Sequence, residues 1–132
     1  MTIKCISVRQ PWAYAIAHCG KDIENRTWST RYRGEIFIHA GKAKLSDEDV
    51  NGTNAVLKKW GLKSIPPGGL RYGYIIARAD LVDCVTKSKS GWFEGPYGFK
   101  LKNVEPIEPI PMVGKLGLFN AVLPAKTKII PL

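Results

Sequence analysis

Alternation of apolar and polar positions marks several strands along this chain. Ile6 and Val8 alternate with Ser7 in the first stretch, which predicts a strand over Ile3–Val8. The same kind of pattern predicts extended segments at Asp22–Trp28, Glu35–Ala40, Tyr72–Val85, Tyr97–Lys102 and Lys115–Val122. The chain is therefore expected to contain five or six short strands.

A first helix is predicted directly after the first strand. Gln10-Pro11 begins it, because proline at a first helical position gives up no hydrogen bond, and Gly20 ends it. Its apolar stripe consists of Trp12, Ala13, Ile16 and Ala17.

A second helix is predicted in the middle of the chain. Ser46 is expected to cap it, with the acidic Asp49 at the third following position of a capping box. The helix is expected to run towards Trp60 and to stop at Gly61, with Asn51-Gly52 as a point of interruption.

Strands and helices in this order predict an α+β fold, a compact β-barrel of five to six strands with two helices at its rim. Loops rich in proline and glycine separate the elements at Ile65–Gly69 and Gly91–Pro96, and the proline-rich Glu105–Pro111 follows the fifth strand. The length of 132 residues is that of one domain, which is expected to span residues 1–132.

The amino-acid composition gives the chain a large positive charge. Twenty Lys and Arg residues stand against 11 Asp and Glu, which gives a formal net charge of +9. Such a surplus favours a polyanionic partner, although a solvated cationic surface would have the same composition.

Other classes of protein are disfavoured. Cys5, Cys19 and Cys84 are odd in number and widely spaced, so neither a disulfide framework nor a zinc site is expected. No signal peptide or membrane-spanning run is evident, and the cytoplasm is the expected compartment. Glycine-rich phosphate loops and hydrolase motifs are absent from the sequence, and no cofactor is expected.

Charged and aromatic side chains are densest between residues 20 and 28. If this segment is extended, alternation places Glu24, Arg26 and Trp28 on one face. It places Lys21, Ile23, Asn25 and Thr27 on the other. A carboxylate beside a guanidinium and an indole suits phosphate binding and base stacking, whereas a structural ion pair over the barrel is the alternative.

Polar side chains also precede the first helix. Arg9 and Gln10 stand where free backbone N–H groups attract anions, and Gln10 offers both a donor and an acceptor to a base edge. Trp12 is a further ligand-binding candidate, although an indole early in an amphipathic helix more often packs in the core.

Three further candidates lie outside these segments. His39 and Lys42 stand at the end of the Glu35–Ala40 strand, where a lone histidine is more often a hydrogen-bonded structural residue. Trp92 belongs to an aromatic loop that suits base stacking or a pocket lid, and a buried loop anchor is equally compatible with its position.

Several ordered motifs resemble those of the ASCH-domain family, as found in bacteria and phages. They are I-S-V-R-Q-P-W-A, G-K-D-I-E-N-R-T-W, Y-R-G, I-H-A-G-K, G-P-Y-G-F-K-L-K-N and G-K-L-G-L-F-N-A-V. The resemblance covers nearly the whole chain. It implies a PUA-like β-barrel with flanking helices, a cleft near the first helix, and RNA binding or nucleic-acid metabolism.

The signature of that family, G-x-K-x-x-E-x-R, is matched by Lys21, Glu24 and Arg26. Its glycine is displaced, because Cys19 stands at the expected position and Gly20 follows. The charged trio is therefore kept while the turn that enters the motif differs.

The resemblance leaves three functional hypotheses open. The first is a binding module whose basic cleft takes RNA or a nucleotide-like ligand. The second is a metal-independent hydrolase of RNA or acylated cytidine with Lys21 and Glu24 as catalytic groups. Related amidohydrolases carry a threonine nucleophile where Glu24 stands, and Thr27 is a poor substitute for it. The third is a protein-interaction adaptor with a vestigial cleft.

Overall fold

A computed structural model describes residues 1–132 and contains six strands and two helices. In chain order these are β1 (Thr2–Val8), α1 (Trp12–His18), β2 (Ile23–Arg26), β3 (Gly34–Ala40), α2 (Asp47–Lys59), β4 (Tyr74–Val85), β5 (Tyr97–Pro111) and β6 (Leu118–Val122). Neither helix has the length and apolar character needed to cross a membrane. The predicted α+β class is confirmed.

All six strands belong to one sheet, in the order β2-β5-β4-β3-β1-β6. Only β1 and β3 pair in parallel, and the other neighbours are antiparallel. The sheet curls into a half-barrel with the two helices beside it, which confirms the predicted PUA-like barrel. The strand order makes β2 and β6 the two edges of the sheet.

Two elements continue through proline or glycine residues at which the sequence predicts a break. The strand β5 continues through Glu105–Pro111, where Pro106 pairs with Ala77. The pairing of β4 with β5 shifts its register at several irregularities. At such bulges some residues need not donate a backbone hydrogen bond, so proline is tolerated there. The helix α2 runs unbroken through Asn51-Gly52, since one interior glycine costs only about 1 kcal/mol relative to alanine.

Both faces of the central strands are buried, so the core has two layers. Ile6 and Ile38 belong to the larger apolar cluster, which also includes Ile16 of α1. Cys5 and Phe37, one position earlier on the same strands, belong to a second cluster on the opposite face. Each fully buried large apolar side chain contributes about 1.5–3 kcal/mol to stability, so this pair of strands anchors the fold.

Side chains, rather than a backbone ladder, connect the β2 edge with β1 and the region before β6. The Arg26 Nη2 atom donates a 2.6 Å hydrogen bond to the carbonyl oxygen of Ser7 in β1. Trp28 packs edge-on against Phe99 with ring centroids 5.0 Å apart, and its Cζ2 atom lies 3.9 Å from the position of a Cβ at Gly117. These contacts hold the segment around β2 over the open side of the curled sheet.

The helix α2 is attached to the rest of the fold by a small contact area. Leu57 is its one buried side chain, and Asn54 holds the backbone of Ile65 through its Oδ1 atom, which accepts a 2.7 Å hydrogen bond. The Ser46 Oγ atom accepts a 3.1 Å hydrogen bond from the Asp49 N–H group, which confirms the predicted cap. Much of the surface of α2 therefore stays free to line a cleft.

Replacement of the cap should lower stability measurably. In Ser46→Ala the Asp49 N–H group loses its side-chain acceptor, and we expect the free energy of unfolding to fall by about 1 kcal/mol. The melting temperature should fall by about 3–5 °C. Ser64→Ala, at an exposed serine outside both helices, is the control for thermal unfolding followed by circular dichroism. Equal melting temperatures for the two variants would contradict the capping role.

Candidate functional site

A cleft of about 780 Å³ lies between α2 on one side and α1 with the start of β2 on the other. We call it the main cleft. Its lining consists of Arg9, Gln10, Pro11, Trp12, Lys21, Glu24, Asn25, Leu45, Glu48, Asp49, Gly52, Thr53, Val56, Leu57, Trp60, Gly91, Trp92 and Glu94. Its volume lies in the range typical of small-molecule sites.

Lys21 lies in the wall of the main cleft and is only 4% exposed. Its Nζ atom donates a 2.5 Å hydrogen bond to the carbonyl oxygen of Ile23. The same atom lies 5.7 Å from the ring centroid of Trp12 and 5.5 Å from that of Trp92. Both distances are within the range of cation–π attraction, so two indoles and a backbone carbonyl surround this ammonium group.

Glu24 is 8% exposed and lies close to Arg26 in the same strand. Its Oε2 atom accepts hydrogen bonds from the Arg26 Nε atom at 3.0 Å and forms a salt bridge of 2.9 Å with Nη2. Burial raises the pKa of Glu24, while the charges of Arg26 and Lys21 act in the opposite direction. Burial also lowers the pKa of Lys21, partly offset by Glu24 and other nearby carboxylates.

The predicted separation of Lys21 from Glu24 is wrong, because both side chains line the main cleft. Alternation applies only within a strand, and β2 begins at Ile23. Lys21 precedes this strand and follows Gly20, whose φ of 72° is a left-handed turn conformation. The turn therefore brings Lys21 to the side of the cleft on which Glu24 lies.

Exposed indoles form the aromatic part of the main cleft. Trp12 is 46% exposed and Trp60 50% exposed, and Trp60 packs edge-to-face on Trp92 with centroids 4.8 Å apart. The alternative that Trp12 is buried in the core is therefore wrong. The sequence pattern predicts only a helix end at Trp60. An indole on a helix with a single buried side chain is the signal that indicates its further role.

The charge of the main cleft is the opposite of the predicted one. Four carboxylates line it, those of Glu24, Glu48, Asp49 and Glu94, whereas Arg9 and Lys21 are its two cations. The description of this cleft as basic is therefore wrong. Two of the carboxylates stand in the first turn of α2, where acidic side chains also stabilise the helix dipole.

A shallower pocket of about 380 Å³ adjoins the main cleft. Arg9, Glu24 and Asn25 line both, and Arg26 with Trp28 line only the second. Trp28 also packs against the larger core cluster, so its ring is held by the barrel. The two pockets therefore share one wall, formed by β2 and by the residue after β1.

Asn25, which no sequence motif marks as a site residue, holds the aromatic loop in place. Its Nδ2 atom donates a 3.0 Å hydrogen bond to the carbonyl oxygen of Trp92, and its Oδ1 atom accepts hydrogen bonds from the N–H groups of Glu94 and Gly95. An asparagine beside a charged strand motif gives little sign of such a role, because its partners lie about seventy residues away.

Gln10 reaches the main cleft, but its amide is already engaged. The Oε1 atom accepts a 2.9 Å hydrogen bond from the N–H group of Tyr14, and Nε2 donates one of 2.9 Å to the carbonyl oxygen of Arg71. The side chain thereby caps the first turn of α1 and ties it to the chain before β4. The amide oxygen and nitrogen of Gln10, which the sequence predicts to contact a base edge, are therefore already hydrogen-bonded within the protein.

His39 and Lys42 lie apart from the main cleft. His39 is 1% exposed, and its Nε2 atom lies 2.7 Å from the carbonyl oxygen of Met112, to which it must donate. Its Nδ1 atom then accepts from the Ser7 hydroxyl at 2.9 Å. Lys42 is exposed and does not line the cleft. No group of three or more His, Cys, Asp or Glu side chains is placed to hold a metal ion.

Comparison with known proteins identifies relatives of this chain. A model of the ASCH domain matches residues 6–111. The chain is 29% identical to activating signal cointegrator 1 of Homo sapiens over 127 residues, which cover 85% of this chain and 22% of the human protein. It is 29% identical to the Mus musculus protein of the same name over 86 residues, 64% of this chain and 15% of that protein. The chain thus spans about a fifth or less of these relatives.

The contacts of His39 predict a structural role. In His39→Leu the Met112 carbonyl and the Ser7 hydroxyl lose their buried partner, and we expect the free energy of unfolding to fall by about 3 kcal/mol. His18→Leu, at the chain's other histidine, which is exposed, is the matched control in urea unfolding. A loss no greater than that of the control would contradict the role.

The environment of Glu24 predicts a specific pH dependence. Because burial raises the pKa of Glu24 above its ordinary value, the folded state keeps this proton at a pH where the unfolded chain has lost it. Wild type therefore gains stability from this group as the pH falls from neutrality through the raised pKa, whereas Glu24→Gln cannot. We expect the free energy of unfolding of wild type, relative to the variant, to rise over that range in urea titrations. A constant difference would contradict the prediction.

Proposed function

Because the chain belongs to the ASCH domain family, we propose that it binds nucleic acid by holding one nucleobase of an RNA strand in the main cleft. The observation that carries the proposal is the aromatic wall. Trp12, Trp60 and Trp92 line the cleft, and Trp12 and Trp60 are each about half exposed. A cluster of exposed indoles marks an interaction site, and their flat faces suit a flat ligand.

The dimensions of the main cleft agree with a single nucleotide. Its volume of about 780 Å³ accommodates a base with its ribose. Indole faces stack on any base, and each such contact contributes about 1–3 kcal/mol of binding free energy. Glu24 provides a carboxylate in the wall, which supports recognition of a base edge in addition to stacking.

The phosphates of the RNA are assigned to the surface outside the main cleft. Only two of the chain's 20 Lys and Arg side chains line the cleft, and its four carboxylates would repel phosphate. Arg9 is exposed and lines both pockets, which suits a contact with the phosphate next to the bound base. The remaining positive charge supports electrostatic attraction of the strand.

Hydrolysis without a metal is the second candidate, and one observation favours it. Burial shifts the pKa of Lys21 downwards and that of Glu24 upwards, so both move towards neutrality, where general acids and bases act. Incubation with RNA and with acylated cytidine, followed by mass spectrometry, tests this candidate. Product that disappears with Glu24→Gln would support it, and unchanged substrate in both assays would remove it.

Removal of one indole tests the binding proposal. We expect wild type to bind a fluorescein-labelled single-stranded RNA with an affinity that falls as salt rises, because bound phosphates release counterions. Trp12→Ala should weaken binding about tenfold, because one stacking contact is lost. Fluorescence anisotropy at constant low salt measures both effects.

Leu116→Ala is the control, since Leu116 is 99% exposed and lies outside the main cleft. It should leave the affinity unchanged. A single-stranded DNA of the same sequence shows whether the ribose hydroxyl matters. No binding of RNA at low salt, or equal affinities of Trp12→Ala and Leu116→Ala, would contradict the proposal.

A further inference from the structure

The distribution of charge is the first observation that identifies a narrower class of ligand. The chain carries a net charge of +9, yet the main cleft is lined by Glu24, Glu48, Asp49 and Glu94 against Arg9 and Lys21. Glu24 is buried and paired with Arg26, whereas Glu48, Asp49 and Glu94 are exposed, so the unpaired carboxylates of the lining are the exposed ones. A ligand group of positive charge is favoured in this position, and an anionic group is not.

The second observation is that the indoles already hold a cation on one side. The Lys21 ammonium lies 5.7 Å from the Trp12 centroid and 5.5 Å from the Trp92 centroid. The negative faces of aromatic rings attract such groups. Trp12 and Trp60 remain about half exposed, so aromatic surface is left in the cleft for a second flat group.

The third observation is an acceptor atom without a partner in the wall. Both contacts between Arg26 and the Glu24 carboxylate fall on Oε2. The other oxygen, Oε1, accepts no hydrogen bond and is accessible from the main cleft, which the residue lines. A carboxylate oxygen that is free in the wall of a cleft favours a ligand that brings an N–H donor.

From these three observations we infer that the base held in the main cleft is an N-methylated nucleobase that is positively charged at neutral pH and carries an amino N–H group, as in 1-methyladenosine. The inference rests on the proposed function and narrows its ligand. The flat cation stacks between the exposed indoles, and the carboxylates balance its charge. The Oε1 atom of Glu24 accepts the hydrogen bond from its amino group.

Two other ligand types fit less well. A neutral base stacks on the indoles but leaves the surplus of carboxylates uncompensated. A trimethylated lysine of a protein carries the charge but has no N–H group on its ammonium for Glu24 Oε1, and a side chain of that size leaves much of the 780 Å³ empty. The binding experiment therefore includes both a neutral base and a trimethylated lysine as comparison ligands.

The decisive comparison is between two methylated adenosines of equal mass. 1-Methyladenosine is cationic at neutral pH, whereas N6-methyladenosine is neutral and carries the same methyl group on the amino nitrogen. We expect 1-methyladenosine to bind about tenfold more tightly than either N6-methyladenosine or adenosine in titrations followed by tryptophan fluorescence. Equal affinities for the two isomers would overturn the inference.

Variants identify the carboxylates responsible. Glu24→Gln keeps the shape of the side chain but loses its charge, and it should reduce the preference for the cationic isomer from about tenfold to about twofold or less. Glu108→Gln, at an exposed glutamate outside the main cleft, is the matched control and should keep the full preference. Retention of the full preference in Glu24→Gln would overturn the assigned role of Glu24.

The same experiment separates this inference from the proposed function. If labelled RNA binds and Trp12→Ala weakens it while the two isomers bind equally, the proposed function stands and the inference fails. If neither RNA nor any nucleoside binds, both fail. A trimethyl-lysine peptide that binds as tightly as 1-methyladenosine would overturn the inference in favour of a protein ligand.

Discussion

The guanidinium of Arg26 joins two parts of the molecule that the strand ladder leaves apart. It contacts the Glu24 carboxylate through two nitrogens and reaches the Ser7 carbonyl oxygen in β1 through one of them. Arg26 thereby fixes the β2 edge over the curled sheet and orients Glu24 towards the main cleft. Because Glu24 is buried and Arg26 is only partly exposed, one contact supports both the closure of the barrel and the wall of the cleft.

Burial of charge gives the main cleft its chemical character. Lys21 and Glu24 lie in one wall, each with a pKa moved towards neutrality by desolvation and each partly compensated by the other. Indoles surround the ammonium, and one oxygen of the carboxylate stays without a partner. The lining of the cleft, with four carboxylates and two cations, thus differs in charge from the chain as a whole, which carries a net charge of +9.

Most of the fold could be predicted from the sequence because its elements are set by local rules. Alternation of apolar positions located the strands, and Ser46 with Asp49 located the start of α2. The continuation of β5 through Glu105–Pro111 could not be predicted in this way. Whether a proline is tolerated in a strand depends on the register of the partner strand, which is a tertiary property.

For the site, the sequence determined which charged groups lie close together, since Lys21, Glu24 and Arg26 stand within six positions of one another. It did not determine which atoms of these groups stay free or what faces them. Only the tertiary structure placed α2, with Trp60 and its acidic first turn, opposite this segment. The reason is physical: side-chain spacing follows from backbone geometry, whereas burial, charge balance and exposure depend on residues distant in the chain.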